Sequence, residues 1–146
     1  MAANPIPAPS VLAGIRQALV AHAPFASMRD ADVERVVRNA TVRYFPKGGR
    51  IVPAGSAPPV ECLFIRQGSV HGEPADGSRD PGAHWEGTAG ELFPLSDLLS
   101  HAGPSRNYDA LQDTFVIAFP ADVFDALIAT SPPFADYCTR TLAHLV

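Results

Sequence analysis

The sequence predicts an α+β domain in which a block of about eight short strands is bracketed by helices, and three observations carry that prediction. Fifteen prolines and eleven glycines in 146 residues fall between short apolar runs rather than in one tract, which marks many turns and short strands. Through the middle of the chain those runs recur at about ten-residue intervals, the rhythm of a β-roll or sandwich. Helical periodicity is confined to the two ends. With 47% hydrophobic and 18% charged residues, there is material for one core and one domain.

The elements follow in order. Val11, Leu12, Ile15, Leu19 and Val20 recur at helical spacing up to Ala23, with Ser10 placed to cap the start. The Ala/Pro-rich stretch Ala2 to Pro9 before it, residues 1–9, reads as a flexible N-terminal tail, with the folded domain spanning 10–146. Asp30-Ala31-Asp32 opens a second helix with Val33, Val36 and Val37 facing inward. Strands are expected at Thr41–Phe45, Arg50–Val52, Glu61–Arg66, Ser69–Gly72, Ala83–Glu86, Arg106–Leu111 and Thr114–Phe119, with a small helix at Leu95–Leu99 inside the block. Glu73 to Gly82 is polar and rich in Gly, Pro and Asp, an exposed loop. Pro120-Ala121-Asp122 starts a helix carrying Val123, Phe124, Leu127 and Ile128. Pro132-Pro133-Phe134 opens a last one that is still running at Leu145-Val146, so the natural chain is expected to continue beyond this domain.

Several function classes are disfavoured. The formal net charge is −4 and no run of Lys or Arg exceeds two residues, so the footprint that holds a phosphate backbone is missing and nucleic acid is not an expected partner. No apolar run reaches the roughly 18 residues of a membrane span, and the N-terminus lacks the basic-then-apolar order of a leader. A soluble cytoplasmic chain is expected, with no membrane partner. Cys62 and Cys138 both lie in apolar patterns without metal-ligand spacing, and buried reduced thiols are the expectation. No serine sits in a Gly-x-Ser-x-Gly turn.

Read together, Pro24-Phe25 ahead of a short helix, Phe45-Pro46-Lys47-Gly48 before Ile51, Gly55, Leu63-Phe64-Ile65-Arg66-Gln67-Gly68-Ser69-Val70, and Phe119-Pro120 with Phe124 and Leu127 resemble the cyclic-nucleotide-binding domain family over nearly the whole chain. More narrowly, Gly90-Glu91-Leu92-Phe93-Pro94-Leu95, Asp113-Thr114-Phe115 and Ser131-Pro132-Pro133-Phe134 look like the N-terminal domain of bacterial signal-transduction proteins that also carry CBS pairs and a nucleotidyltransferase-like region. The resemblance implies an eight-stranded β-roll, a jelly-roll-like double-stranded β-helix, with N- and C-terminal helices and one short helix in a ligand cassette. It also implies a non-catalytic regulatory role in sensing cyclic AMP, cyclic GMP or a related nucleotide, with the CBS and nucleotidyltransferase-like domains following downstream.

In that family the cassette is a Gly-Glu pair, a short helix, then an Arg. A carboxylate accepts hydrogen bonds from a ribose hydroxyl, amides at the helix start face the phosphate, and the Arg fork neutralises its charge. Two registers fit this sequence. One takes Gly90 and Glu91 as the pair, which leaves 15 positions to Arg106, and the family spacing then requires an insertion. The other aligns Gly90 through Leu95 with a Gly-Asp-x-Phe-Gly-Glu pattern, leaving 11 positions between Leu95 and Arg106 and almost no insertion. This second register is preferred. It puts Pro94 and Leu95 where the family has Gly and Glu, so the ribose carboxylate is gone while Arg106 remains. A sugar hydroxyl buried against Leu95 would be left unpaired at a cost of about 1–3 kcal/mol, one to two decades of affinity. The candidate ligand-binding residues are therefore Gly90, Glu91, Leu95, Ser96, Arg106 and Asn107, with no cofactor, no metal and no catalytic residue.

Two other readings stay open. The fold could serve as a ligand-free dimerisation or interaction module, with Phe134, Tyr137, Leu142 and Leu145 of the last helix offering an apolar stripe, to the domain's own roll or to a second copy. Alternatively, His84 and Glu86, two apart on a strand, could join His71 and His101 in a cupin-like metalloenzyme site.

Overall fold

The computed structural model describes residues 8–145. Its elements are α1 (Pro9–Val20), α2 (Asp30–Arg38), β1 (Thr41–Phe45), β2 (Arg50–Val52), β3 (Glu61–Gln67), β4 (Ser69–Pro74), β5 (Trp85–Thr88), β6 (Leu92–Phe93), α3 (Leu95–Ser100), β7 (Arg106–Ala110), β8 (Thr114–Pro120), α4 (Ala121–Thr130) and α5 (Pro132–Leu145), with single 3₁₀ turns at Phe25–Ser27 and Pro81–Ala83. The eight strands form two antiparallel four-stranded sheets, ordered β1-β8-β3-β6 and β2-β7-β4-β5. This is the eight-stranded roll that the sequence predicts.

While its edge strand β1 is mostly exposed, the first sheet is buried on both faces along the middle of β3 and β8, and β3 shows why. Successive side chains of a strand point to opposite sides, so Cys62 and Phe64 enter the cluster shared with the helices while Leu63 and Ile65 enter the one between the sheets. A continuous apolar run is what such a position requires. On the helical side Phe25, Phe64, Phe119 and Phe134 pack ring against ring, with centroids 5.7 Å apart for Phe25–Phe64 and 6.1 Å for Phe25–Phe134. Phe134 and Cys138 are buried, and Tyr137 and Leu142 pack against the same cluster. Of the proposed stripe, Phe134 is thus within the domain's own core, Tyr137 and Leu142 pack partly against it, and the Leu145 side chain lies outside those described.

Several local expectations are corrected. Proline fixes its own φ and needs no N–H in a first turn, so Pro9 is the first helical residue, Ala8 precedes it without a side-chain cap, and Ser10 lies inside the helix instead of capping it. The proposed tail through residue 7 lies outside the described residues. The strand expected at Ala83–Glu86 begins two residues later, because Asp80 caps the turn at Pro81–Ala83 by accepting from the Gly82 amide at 3.1 Å. His84 therefore precedes the strand. The two-residue strand β6, paired to Leu63 and Phe64, is too short to produce a periodic signal. Among the described residues no helix is long and apolar enough to cross a membrane.

Truncating Phe64 to Ala should lower the unfolding free energy by about 3–5 kcal/mol in denaturant titration, since the ring fills the centre of the helical core. Alkaline pH should destabilise the fold through Cys138. Burial pushes its thiol up to about 12 from an ordinary 9.0, so the folded state holds a proton that the unfolded chain releases. That contribution is complete below pH 9.0 and is lost as pH rises toward 12. Unfolding measured between those limits should fall less steeply in Cys138→Ala.

Candidate functional site

Strand β7 delivers the arginine. Arg106 and Tyr108 are two apart and share the face that looks into the roll, while Asn107 between them faces the other way. On the neighbouring strand Gly72 pairs with both Tyr108 and Trp85. A β-carbon at Gly72 would stand 2.9 Å from the Tyr108 ring and 3.2 Å from the Arg106 stem. The missing side chain is what admits both.

The space in front of Arg106 is occupied by protein. Trp85, Phe93 and Tyr108 form a triangle of rings with centroids 5.4, 5.7 and 5.5 Å apart. They line a cavity of about 10 Å³ together with Leu92, Leu95, Ser96, Arg106 and Thr141. That is room for about one water molecule. Thr141 belongs to α5, so the last helix reaches over the cassette. Arg106 donates from Nε to the Ala83 carbonyl at 2.7 Å, tying the strand to the turn before β5. Its charge is felt on both sides. Burial raises the Tyr108 phenol and a hydrogen bond from Arg106 opposes that rise. Burial also raises the Asp97 carboxyl on α3, and the arginine's charge works against it.

The other candidates separate. Leu95 is 4% exposed and packs with Leu98 into the helical core. Pro94 leads into α3 and contributes no N–H. Ser96 lines the cleft beside Arg106. Glu91 turns back on its own loop, where its carboxylate accepts from the Thr88 amide at 2.5 Å while its backbone amide donates to the Thr88 carbonyl at 3.1 Å. Gly90 is buried under the His22 ring at φ +97°, a conformation and a clearance that a side chain would lose. Asn107, on the outward face, accepts from the Ala54 amide at 2.8 Å and fixes the turn after β2. The structure thus brings Leu95, Ser96 and Arg106 to one cleft and gives Gly90, Glu91 and Asn107 local structural bonds. Sequence reasoning missed the fillers Phe93 and Tyr108 and the cover Thr141. Tyr108 at two positions from Arg106 was the available signal.

The histidines do not gather. His71 and His84 have ring centroids 5.5 Å apart and His71 is 3.6 Å from Glu86. His84 donates from Nε2 to the Ser78 carbonyl at 2.8 Å, and His101 pairs with Asp125 on α4 at 3.4 Å. Among the described residues no group of three or more His, Cys, Asp or Glu could hold a metal ion.

No family model and no curated protein matches the sequence. Among solved structures the chain is similar to the regulatory domain of Toxoplasma gondii protein kinase A co-crystallised with cAMP, at 16% identity and TM-score 0.76 over 91% of this chain and 50% of that one. It is also similar to the regulatory subunit of a cAMP-independent protein kinase A from Trypanosoma cruzi bound to guanosine, at 17% identity and TM-score 0.74 over 88% and 45%. A third is the sensor domain of the transcriptional regulator DNR from Pseudomonas aeruginosa, at 12% identity and TM-score 0.73 over 88% and 91%. The chain spans about half the length of the two kinase subunits. These likenesses establish the fold as the cyclic-nucleotide-binding β-roll.

Gly90→Ala should cost at least about 1–2 kcal/mol, measured by thermal or denaturant unfolding, because it combines a positive φ with displacement of His22.

Proposed function

We propose that this chain is a non-catalytic regulatory domain of a cytoplasmic signalling protein, in which side-chain packing replaces the ribose-and-phosphate grip of a cyclic-nucleotide cassette. The observation that carries the reading is the buried Leu95 beside the Trp85–Phe93–Tyr108 triangle, in a cleft with room for about one water. A purine nucleotide entering there would have to expel stacked rings and would meet no carboxylate for its hydroxyl groups. Regulation then acts through surfaces, with α5 carrying the domain's state onward. The matching motifs at Gly90–Leu95, Asp113–Phe115 and Ser131–Phe134 support a place ahead of CBS and nucleotidyltransferase-like domains.

A second reading is favoured by Arg106. Its guanidinium stands in the cleft beside Ser96, so a cyclic nucleotide, or another small anionic nucleotide-type ligand, could be sensed by turning Trp85 out. Two of the similar solved structures hold different ligands, the cyclic nucleotide cAMP in one and the nucleoside guanosine in the other. The ligand must favour one arrangement of α5 to transmit anything.

Calorimetric titration with cyclic AMP and cyclic GMP separates the two readings. Weak or absent heat with both is expected, and dissociation constants below about 1 µM would overturn the first. If either nucleotide binds, Arg106→Ala should abolish the binding while leaving the fold intact by circular dichroism.

A further inference from the structure

A second cavity of the roll adjoins the cassette cleft: Pro94 lines it, and its Val52 is paired with Tyr108 across β2 and β7. The inward faces of β1 and β3 read Arg43, Phe45 and Glu61, Leu63, since Phe45 and Leu63 belong to the cluster between the sheets and residues two apart share a face. Two ionisable side chains therefore occupy positions that the strand alternation reserves for core. Both strands pair with β8, and the diagonal between Arg43 and Glu61 crosses Ala118, which is too small to separate them. Arg43 donates from Nη2 to Glu61 Oε1 at 2.5 Å. Beneath this pair lies a mainly apolar pocket of about 280 Å³ bounded by Phe45, Ile51, Val52, Leu63 and Pro94, with the Ser56–Val60 loop as one wall. That volume lies just under the range of drug-sized ligand sites, which restricts the occupant to a small molecule.

We propose that this mouth is a binding site for a free α-amino acid with an apolar side chain of about leucine to phenylalanine size. The rim selects the class. A guanidinium presents five donors in a fork and a carboxylate offers about four acceptor sites, so each can serve a ligand while keeping its bond to the other. A monocarboxylic acid would satisfy Arg43 and leave Glu61, whose side chain is only 28% exposed, facing a second negative charge. A simple amine would do the converse. Only a ligand carrying both charges on one carbon matches a rim that carries both, with its side chain directed onto Phe45, Ile51, Val52 and Leu63. The site adjoins the cassette through Pro94, but it uses none of the ligand candidates Leu95, Ser96 and Arg106, so the proposal does not rest on the cassette reading.

The test is calorimetric titration of the chain with L-leucine and L-phenylalanine beside 4-methylpentanoic acid and 3-methylbutylamine, each of which lacks one of leucine's two charges. Both amino acids should bind, and each single-charge analogue should bind at least about tenfold more weakly. Glu61→Gln should reduce leucine to the affinity of the acid analogue, with the unfolding temperature checked to confirm the fold. Val52→Trp, which fills the pocket from its wall and leaves the rim intact, should abolish binding of both amino acids. No measurable binding of either amino acid would overturn the proposal. So would equal binding of 4-methylpentanoic acid, or leucine affinity that Glu61→Gln leaves unchanged.

Discussion

The pairing of β3 with β8 is the constraint from which the rest of the molecule follows. Six residues of β3 are registered against β8 from Glu61–Pro120 to Gln67–Phe115, and both strands are apolar on both faces over their middle. A two-stranded ribbon of that kind cannot face water on either side. One face demands the helices, and the rings of Phe25, Phe124 and Phe134 arrive there from three different segments. The other face demands the second sheet, which closes the roll. The helices and the roll are therefore two answers to one burial problem, and neither cluster survives alone.

The segment around Arg106 is held more by packing than by polar contacts. The short helix α3 follows β6, and Arg106 points inward from β7. Leu95 anchors α3 in the helical core, and the ring of Trp85 lies against Phe93 and Tyr108 on the side where the arginine would otherwise face open space. A half-buried arginine needs a partner, and here the Ala83 carbonyl supplies one from the protein itself.

Much of this was legible in the sequence, and the exceptions share a cause. The order of elements, the block of about eight short strands and the apolar run of β3 follow from periodicity and turn chemistry, which are local. Leu95 and Arg106 were found because spacing places them in a cassette. Asn107 was included by proximity, although strand parity alone puts it on the face opposite Arg106. Glu91 was read as a candidate ligand, and only the three-dimensional turn shows its carboxylate folded back onto Thr88. The triangle of Trp85, Phe93 and Tyr108 comes from three strands that meet only in the folded chain, and the inward-facing pair Arg43 and Glu61 becomes visible only once the sheet register is known. No window of contiguous residues contains either.

The hydrogen bond from Ala54 to Asn107 joins two parts of the molecule that have been treated apart. Arg106 and Asn107 are neighbours on one strand, back to back. The first lines the cassette cleft, and the second holds the turn that runs into the Ser56–Val60 wall of the adjoining cavity. Strand β7 thus carries bonds to the walls of both cavities. Thermodynamic linkage is reciprocal: an occupant of one cavity that altered affinity in the other through β7 would have its own affinity altered by the second occupant by the same factor.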